Sequence, residues 1–389
     1  MALPLSYNLR NVRQRWKVTI LAIGGIALVV AVFVTLIALY NGFRVALAST
    51  GIPGNGIFVQ RGSQSELTSG IARDDADFLA ADDRVARDPQ GRPLASAEIV
   101  IATSLPRRDS TLDVNVQLRG VSPRAFLVRS GVTIEEGRNI QPGLPELIVG
   151  RRLAERVRGA AIGDVVRMKN RDWRVVGVFS AAGSSFESEI WGDVDVLAAA
   201  FNRQGGYQSL TVRMNAPADI PAWAAEVERN PRMQLQLKPE RLYYDEQAGP
   251  VGQALLALAL FVAIVMGIGA VFGAMNTMYA VVAQRTREIA TLRALGFPRR
   301  SILLSFLVES MLIALVAGLI GCGLGLFANW LPTAATGNVT FSELAFAFSV
   351  TPRSLVFGMA FALAMGFVGG LLPALRAALL PITKALRDA

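Results

Sequence analysis

The sequence predicts an α-helical membrane protein with four transmembrane helices plus an α+β extracytoplasmic domain inserted between helices 1 and 2. Three observations predict it. Apolar runs with almost no charge occupy 18–40, 250–283, 301–330 and 353–373, each near or above the roughly 20 residues a helix needs to cross a bilayer. Residues 41–249 carry charges of both signs, many Gly and Pro, and short alternating apolar stretches, which is the composition of a folded globular insert. Basic residues gather in 1–17, 284–300 and 374–389, whereas 331–352 holds no Lys or Arg. The positive-inside rule therefore puts both termini and the 284–300 loop in the cytoplasm, and the insert on the other side of the membrane.

Residues 1–17 read as an amphipathic lead. Leu5, Leu9, Val12 and Trp16 recur at helical spacing among Arg10, Arg13, Arg15 and Lys17, so this helix is expected at the membrane interface. The run at 18–40 is followed by Ala46-Leu-Ala48, which mimics a cleavage site. It exceeds the roughly 7–15 apolar residues of a signal peptide and is read as an uncleaved span. Within the insert, strands are expected at 57–60, 97–101, 114–118, 146–149, 165–168, 173–178, 210–214 and 234–237. Helices are expected at 72–81, 151–157, 194–201 and 222–228. The glycine pairs at 54–56 and 205–206 lack the strand–loop–helix context of a phosphate cradle and read as turns. The acidic cluster Asp74, Asp75, Asp77, Asp82 and Asp83 lacks the spacing of an EF-hand loop and reads as a solvated helix face. The run at 250–283 exceeds one crossing and is expected to continue beyond the membrane as a stalk. The stretch 331–352 reads as a short outer loop.

The composition excludes several chemistries. The chain has no His and a single Cys, Cys322, within an apolar run. Ser–His and Cys–His pairs, His-ligated metals and an intramolecular disulfide are therefore ruled out. No G-x-x-x-x-G-K-[ST] occurs, so no P-loop is present and no cofactor is expected on the chain. The net charge of +9 reflects membrane topology. No basic stripe is interleaved with aromatics as single-stranded nucleic-acid binding would want.

The most informative stretch is 284–300, a charged, helix-prone segment between two apolar runs. Ile289, Leu292 and Leu295 share one helical face, while Arg285, Arg287, Glu288 and Arg293 take the remaining surface. Gly296 is a natural stop, with Pro298 just beyond. Such a helix suits docking against another protein. Two polar residues lie in the flanking spans. Asn276 sits near the cytoplasmic end of the second, and Glu309 lies about two turns, roughly 12 Å, into the third. An intramembrane carboxylate is a functional candidate by default, with a tie to Arg293 or Arg300 as the expected contact; the alternative is that the span begins later and Glu309 lies at the interface. Gly269 and Gly273 in the second span, and Gly321 and Gly325 in the third, form small-residue faces for close helix packing.

Asn276-x-Met278, then Arg285-x-Arg287-Glu288-Ile289-Ala290-x-Leu292-Arg293-Ala294-Leu295-Gly296, and the closing Pro373-Ala374-x-Arg376-Ala377-Ala378-x-x-Pro381 resemble the FtsX/MacB-type ABC transporter permeases in their stand-alone DevC/LolC/LolE-like format. The insert is similar to that family's periplasmic core domain through Glu146–Gly150, Gly163-Asp164 and Trp173–Val178. The resemblance implies a non-catalytic, mechanotransmitting permease. It makes Arg285–Gly296 a coupling helix that docks on a cytoplasmic ABC ATPase, present in two copies and holding ATP and Mg²⁺. A second permease copy or a paralogue completes the assembly, within membrane lipid and without nucleic acid. A periplasmic adaptor and an outer-membrane channel are further partners of such systems. The implied cargo is lipid-linked, a lipoprotein, a glycolipid, a peptide or a drug. The alternative is an FtsX-like signalling module that activates an extracytoplasmic partner, such as a cell-wall hydrolase, without moving cargo.

Overall fold

The computed structural model describes residues 16–108, 113–330, 332–336 and 343–381. The amphipathic lead expected at 1–15 and the end of the tail at 382–389 lie outside the described residues. The chain divides into two compact units. One holds the chain through Asn41 together with 254–330 and 348–381, and the other holds Gly42–Gln253 with Pro332–Ala347.

The first unit contains most of the apolar helices. Among the described residues, four are long and apolar enough to cross a membrane: Thr19–Ala48, Glu240–Gln284, Arg299–Trp330 and Pro352–Leu379, called spans 1 to 4 here. The first is continuous from Trp16 to Ala48 and the second from Glu240 to Gln284. Both run past the boundaries read from hydropathy, since a helix need not stop where its apolar stretch does. In lipid, apolar surface alone gives helices little reason to associate, so close backbone approach does the work. A Cβ on Gly321 would lie 2.6 Å from the Ala27 carbonyl and 2.7 Å from Val30 Cβ; on Gly325 it would lie 2.7 Å from a Val34 methyl. These two glycines thus seat span 3 on span 1. Gly366 meets Ala314 at 2.3 Å and Gly370 meets Ser310 Oγ at 2.2 Å, which seats span 4 on span 3. Gly269 and Gly273 meet nothing within 4 Å. They line an open apolar groove of about 290 Å³ that Gly25 and Val29 of span 1 face from the other side. Asn41, which the hydropathy reading passed over, donates to Ser354 Oγ at 3.0 Å.

The second unit is built on one mixed sheet. Its strands are β1 (Asn55–Gln60), β3 (Ala95–Pro106), β4 (Asp113–Val121), β5 (Thr133–Gly137), β6 (Glu146–Gly150), β7 (Val165–Met168), β8 (Arg171–Ser180), β9 (Glu189–Asp193), β11 (Ser209–Arg213) and β12 (Leu235–Pro239), with β2 (Ile71–Ala72) and β10 (Gly206–Tyr207) paired beside it. The order is β12-β1-β11-β3-β4-β9-β6-β8-β5, and β7 pairs with β8. β4 runs parallel to β9 and β6 parallel to β8; the other pairs are antiparallel. β2, β5, β9 and β10 are too short or too weakly alternating to be expected from the sequence.

Successive residues of a strand point to opposite faces, and here both faces are covered. Leu147 and Val149 join a core with Leu118, Trp173 and Ile190, while Ile148 between them joins a second core with Phe179, Phe186 and Trp191. Phe58, Leu210 and Leu237 form a third core with Trp223. The helices Arg73–Ala80, Val194–Ala200 and Ile220–Arg229 supply apolar residues to the first and third cores. Tyr243 and Tyr244, in the first turn of span 2, close the second. Gly54, at φ +92°, makes a turn, but Asn55 and Gly56 already belong to β1 and Gly206 belongs to β10, so the turns expected at 54–56 and 205–206 give way to strands after their first residue. The stretch expected as a plain outer loop contains an antiparallel strand pair, Pro332–Thr336 with Glu343–Ala347.

Replacing Gly321 with Val should cost about 1–3 kcal/mol of stability through overpacking against span 1. Gly273→Ala, placed in the open groove, should cost nothing in an isolated chain. Thermal unfolding of the detergent-solubilised protein, read against wild type, checks both.

Candidate functional site

The long helix of span 2 ends at Gln284, and a separate helix, Thr286–Ala294, begins after one intervening residue. Arg285 sits at the break with φ −107° and ψ 11°. Its side chain is 5% exposed and reaches Glu309 of span 3, with Nη1 donating to Oε2 at 3.0 Å. Its Nε donates to Glu288 at 3.0 Å, and its guanidinium lies over the Phe306 ring at 5.1 Å. The partner of Glu309 is therefore Arg285, rather than Arg293 or Arg300 as the sequence suggested. The helix break turns the Arg285 side chain toward span 3, an orientation that helical periodicity does not reveal.

Arg293 is used differently. Its Nη1 donates to the Ala378 carbonyl at 2.7 Å. Ala378 lies in the last turn of span 4, where carbonyls lack helical partners and a cation is favourable. Gly296, at φ +94°, ends the loop helix. The Phe297 amide bonds to the Leu292 carbonyl and the Gly296 amide to the Arg293 carbonyl, each at 3.2 Å. This is the paired bonding of a Schellman stop, and span 3 starts directly after Pro298.

The loop helix thus has two faces. Ile289 and Ala290 are each 2% exposed. Ile289 packs with Met278, Val282, Ile302, Phe306 and Ala377, and Leu292 lies partly buried against the same cluster. The apolar stripe of the helix is therefore mostly spent on the chain's own spans. The outward face carries Arg287, Glu288, Thr291 and Ala294, with Leu295 72% exposed and Arg299 and Arg300 beyond it. Asn276 is exposed on span 2 and does not join this cluster.

A second constellation escaped the sequence reading altogether. Arg119 and Arg129 are fully buried at the centre of the sheet with Glu66, Glu98, Glu189 and Glu240. Arg119 donates from Nε to Glu189 at 2.7 Å, from Nη1 to Glu66 and Glu98 at 2.8 Å each, and from Nη2 to Glu66 and Glu189 at 3.0 Å each. All its N–H groups are thereby used. Arg129 binds both oxygens of Glu98, at 3.1 and 2.9 Å, then Thr211 Oγ1 at 3.1 Å, and it pairs with Glu240. The Phe186 ring lies beneath both guanidinium groups. These residues come from six separate places in the chain, and only folding brings them together.

Arg119 is shared, and its carboxylates are driven apart. Burial pushes the Glu66 carboxyl up, but the charge and hydrogen bonds of Arg119, helped by Ser209, more than offset this and hold it at about 2, against an ordinary 4.5. Burial raises Glu189, and the Glu66 charge adds to that, with Arg119 only partly opposing.

Residues 19–230 match the MacB-like periplasmic core domain, and 260–382 match the FtsX-like permease C-terminal region. The chain belongs to the FtsX/MacB-type ABC transporter permeases. The permease is 29% identical over 316 residues to the macrolide export ATP-binding/permease protein MacB of Shigella boydii, covering 76% of this chain and 47% of that protein. It is 25% identical over 250 residues to the uncharacterized ABC transporter permease YknZ of Bacillus subtilis, covering 62% and 61%. An uncharacterized ABC transporter permease of Methanocaldococcus jannaschii is 29% identical over 205 residues, 51% of each chain. The permease thus spans about half the length of the curated relatives it matches. Among solved structures, the periplasmic region of MacB from Actinobacillus actinomycetemcomitans is similar at TM-score 0.38 and 12% identity, covering 54% of this chain and 94% of that one. The family and the four apolar helices make this a multi-pass membrane protein with its inserted domain outside the cell or in the periplasm.

Glu309→Gln leaves Arg285 buried with its main counter-charge gone and should cost about 3 kcal/mol. The double change Arg285→Met, Glu309→Leu should recover much of that loss, and a double-mutant thermal-unfolding cycle measures it. In the insert, the depressed Glu66 adds stability that is fully present above pH 4.5 and lost as the pH falls from 4.5 toward 2, about 3 kcal/mol in all. Glu189 has the opposite sign, its contribution falling as the pH rises above 4.5. Trp fluorescence unfolding between pH 5 and 2 should show the acid loss in wild type and not in Glu66→Gln.

Proposed function

We propose that this chain is the permease subunit of a mechanotransmitting ABC transporter, in which a cytoplasmic ATPase docks on the 284–300 loop and drives the inserted domain through the spans. The observation that carries this reading is the two-faced loop helix. One face is locked to the chain's own spans, and the other presents Arg287, Glu288, Thr291, Ala294 and Leu295 to solvent. A helix held that firmly, with Arg287, Ala294 and Leu295 exposed on its outward side, is suited to receive a partner and pass on its displacement.

The chain's own residues would transmit the motion. Arg285 joins the end of span 2 to Glu309 on span 3, and Arg293 joins the loop helix to the last turn of span 4. A push on the outward face therefore reaches three spans through short polar contacts and one apolar cluster. ATP and Mg²⁺ would be bound by the ATPase, which supplies the hydrolysis, and the permease itself would be non-catalytic. Both termini and the loop would face the cytoplasm of a bacterial inner membrane, with a second permease copy or a paralogue and two ATPase copies in the assembly. The cargo would be handled on the outer side: lipid-linked, lipoprotein, glycolipid, peptide or drug. The family relationship supports the permease assignment, and the near absence of charge within the spans supports work done outside over passage of a polar solute.

Leu295→Asp and Arg287→Glu should weaken ATPase binding about tenfold or more, as loss of a central interface contact does, and leave thermal stability unchanged. Ile289→Asp should lower both, since Ile289 is buried against the spans. Co-purification and stimulated ATP hydrolysis of the solubilised complex provide the readout. Normal binding by Leu295→Asp would refute the docking face. Coupled motion of the insert without cargo movement would mark a signalling module.

A further inference from the structure

Glu240 is the first residue of the helix that becomes span 2, and its carboxylate is fully buried. One oxygen pairs with Arg129. The other accepts from Asn55 Nδ2 at 2.9 Å and from the Ile52 amide at 3.0 Å. Ile52 and Asn55 lie just after Ala48, where the span 1 helix ends. The incoming and outgoing connections of the inserted domain thus meet on one carboxylate. Their backbones touch as well, because a Cβ on Gly51 would lie 2.3 Å from Arg241 Cα. At the surface, Arg44 of the incoming helix pairs with Asp245 of the outgoing one at 3.1 Å.

From Glu240 the bonding runs inward without a gap. Arg129 passes it to Glu98 on β3, Glu98 to Arg119 on β4, and Arg119 to Glu189 on β9 and Glu66. A network of buried charges seldom stabilises a fold more than well-packed apolar side chains would, but its geometry is exacting, because removing one partner leaves another buried and unpaired. A helix cap alone would need only the carboxylate near the helix N-terminus. It would not need two fully buried arginines that extend the contact across three strands.

We infer that the Arg119–Arg129–Glu98–Glu240 network clamps the two chain connections of the inserted domain to each other and to the centre of its sheet, with Glu240 as the positioning residue through which displacement of the helix enters the domain. The clamp itself rests on the contacts above, and its use in transport rests on the coupling role proposed for the loop helix. The clamp makes the incoming and outgoing segments move with the sheet as one body, rather than hinge at the domain boundary.

Hydrogen–deuterium exchange on the full chain in lipid nanodiscs, with its ATPase and with or without a non-hydrolysable ATP analogue, tests this. In Glu240→Gln, amide exchange should rise about tenfold in 50–56 and 240–246 together, the loss expected of one buried charged contact, while β6 and β8 stay protected. The nucleotide-dependent change in the sheet should be lost although the ATPase still binds. Gly51→Ala wedges the same junction without touching a charge, and should give the same paired rise if Glu240→Gln fails to fold. Loosening confined to 240–246 would reduce Glu240 to a helix cap and overturn the clamp. A nucleotide response in the sheet that survives both variants would overturn its role in transmission. A wild-type chain that binds no ATPase would refute the docking role of the loop, and the clamp would then be judged by the paired exchange alone.

Discussion

A charge removed from water must find a partner of opposite sign, and that constraint fixes the decisive positions in both units of this chain. At the loop, Arg285 and Glu309 are each about 5% exposed in their side chains and 3.0 Å apart, so the break after span 2 and the start of span 3 have little freedom to shift. In the insert, two arginines satisfy four carboxylates in a space without solvent. Such arrangements are chosen for their geometry more than for their net energy. Each places a long helix: the loop pair holds one end of the span 2 helix, and Glu240 holds the other.

Between those ends, contact distance replaces charge. Gly321, Gly325, Gly366 and Gly370 each sit where a methyl group would collide with a neighbouring helix, and dispersion falls off too steeply for a looser fit to hold the spans together. Span 2 is seated on span 4 in the same way, by Gly267 against Phe361 at 2.9 Å and Gly369 against Ala274 at 3.1 Å, but is open toward span 1. Its Gly269 and Gly273 face an open groove, and 17% of its most apolar window is buried against 39% for spans 1 and 3. The helix that links the loop to the insert is therefore also the one least embedded in the chain's own bundle.

The 284–300 loop shows what can be read locally from its residues. The helix, its stop at Gly296 and its mixed character were all legible, because capping and periodicity are local properties. Which face turns outward was not. Ile289 looked like an anchor for a partner and is instead packed on Met278 and Phe306. Leu295, nominally on the same stripe, is exposed because the helix ends there. The stripe was real, but an apolar stripe does not say whether its partner is the same chain or another.

The sequence by itself determined the number of spans, the insertion of one domain between the first two, most of its strands and the family to which the chain belongs. All of these follow from local hydropathy, alternation and short motifs, which each segment carries within itself. Only the tertiary structure decided that Glu309 answers to Arg285, that Gly321 and Gly325 are spent within the chain while Gly269 and Gly273 are not, and that Glu66, Glu98, Arg119, Arg129, Glu189 and Glu240 form one buried network. Residues as far apart as Glu66 and Glu240 share no periodicity or spacing. Their pairing exists only once the sheet has closed around them and excluded the water that would otherwise have served each charge separately.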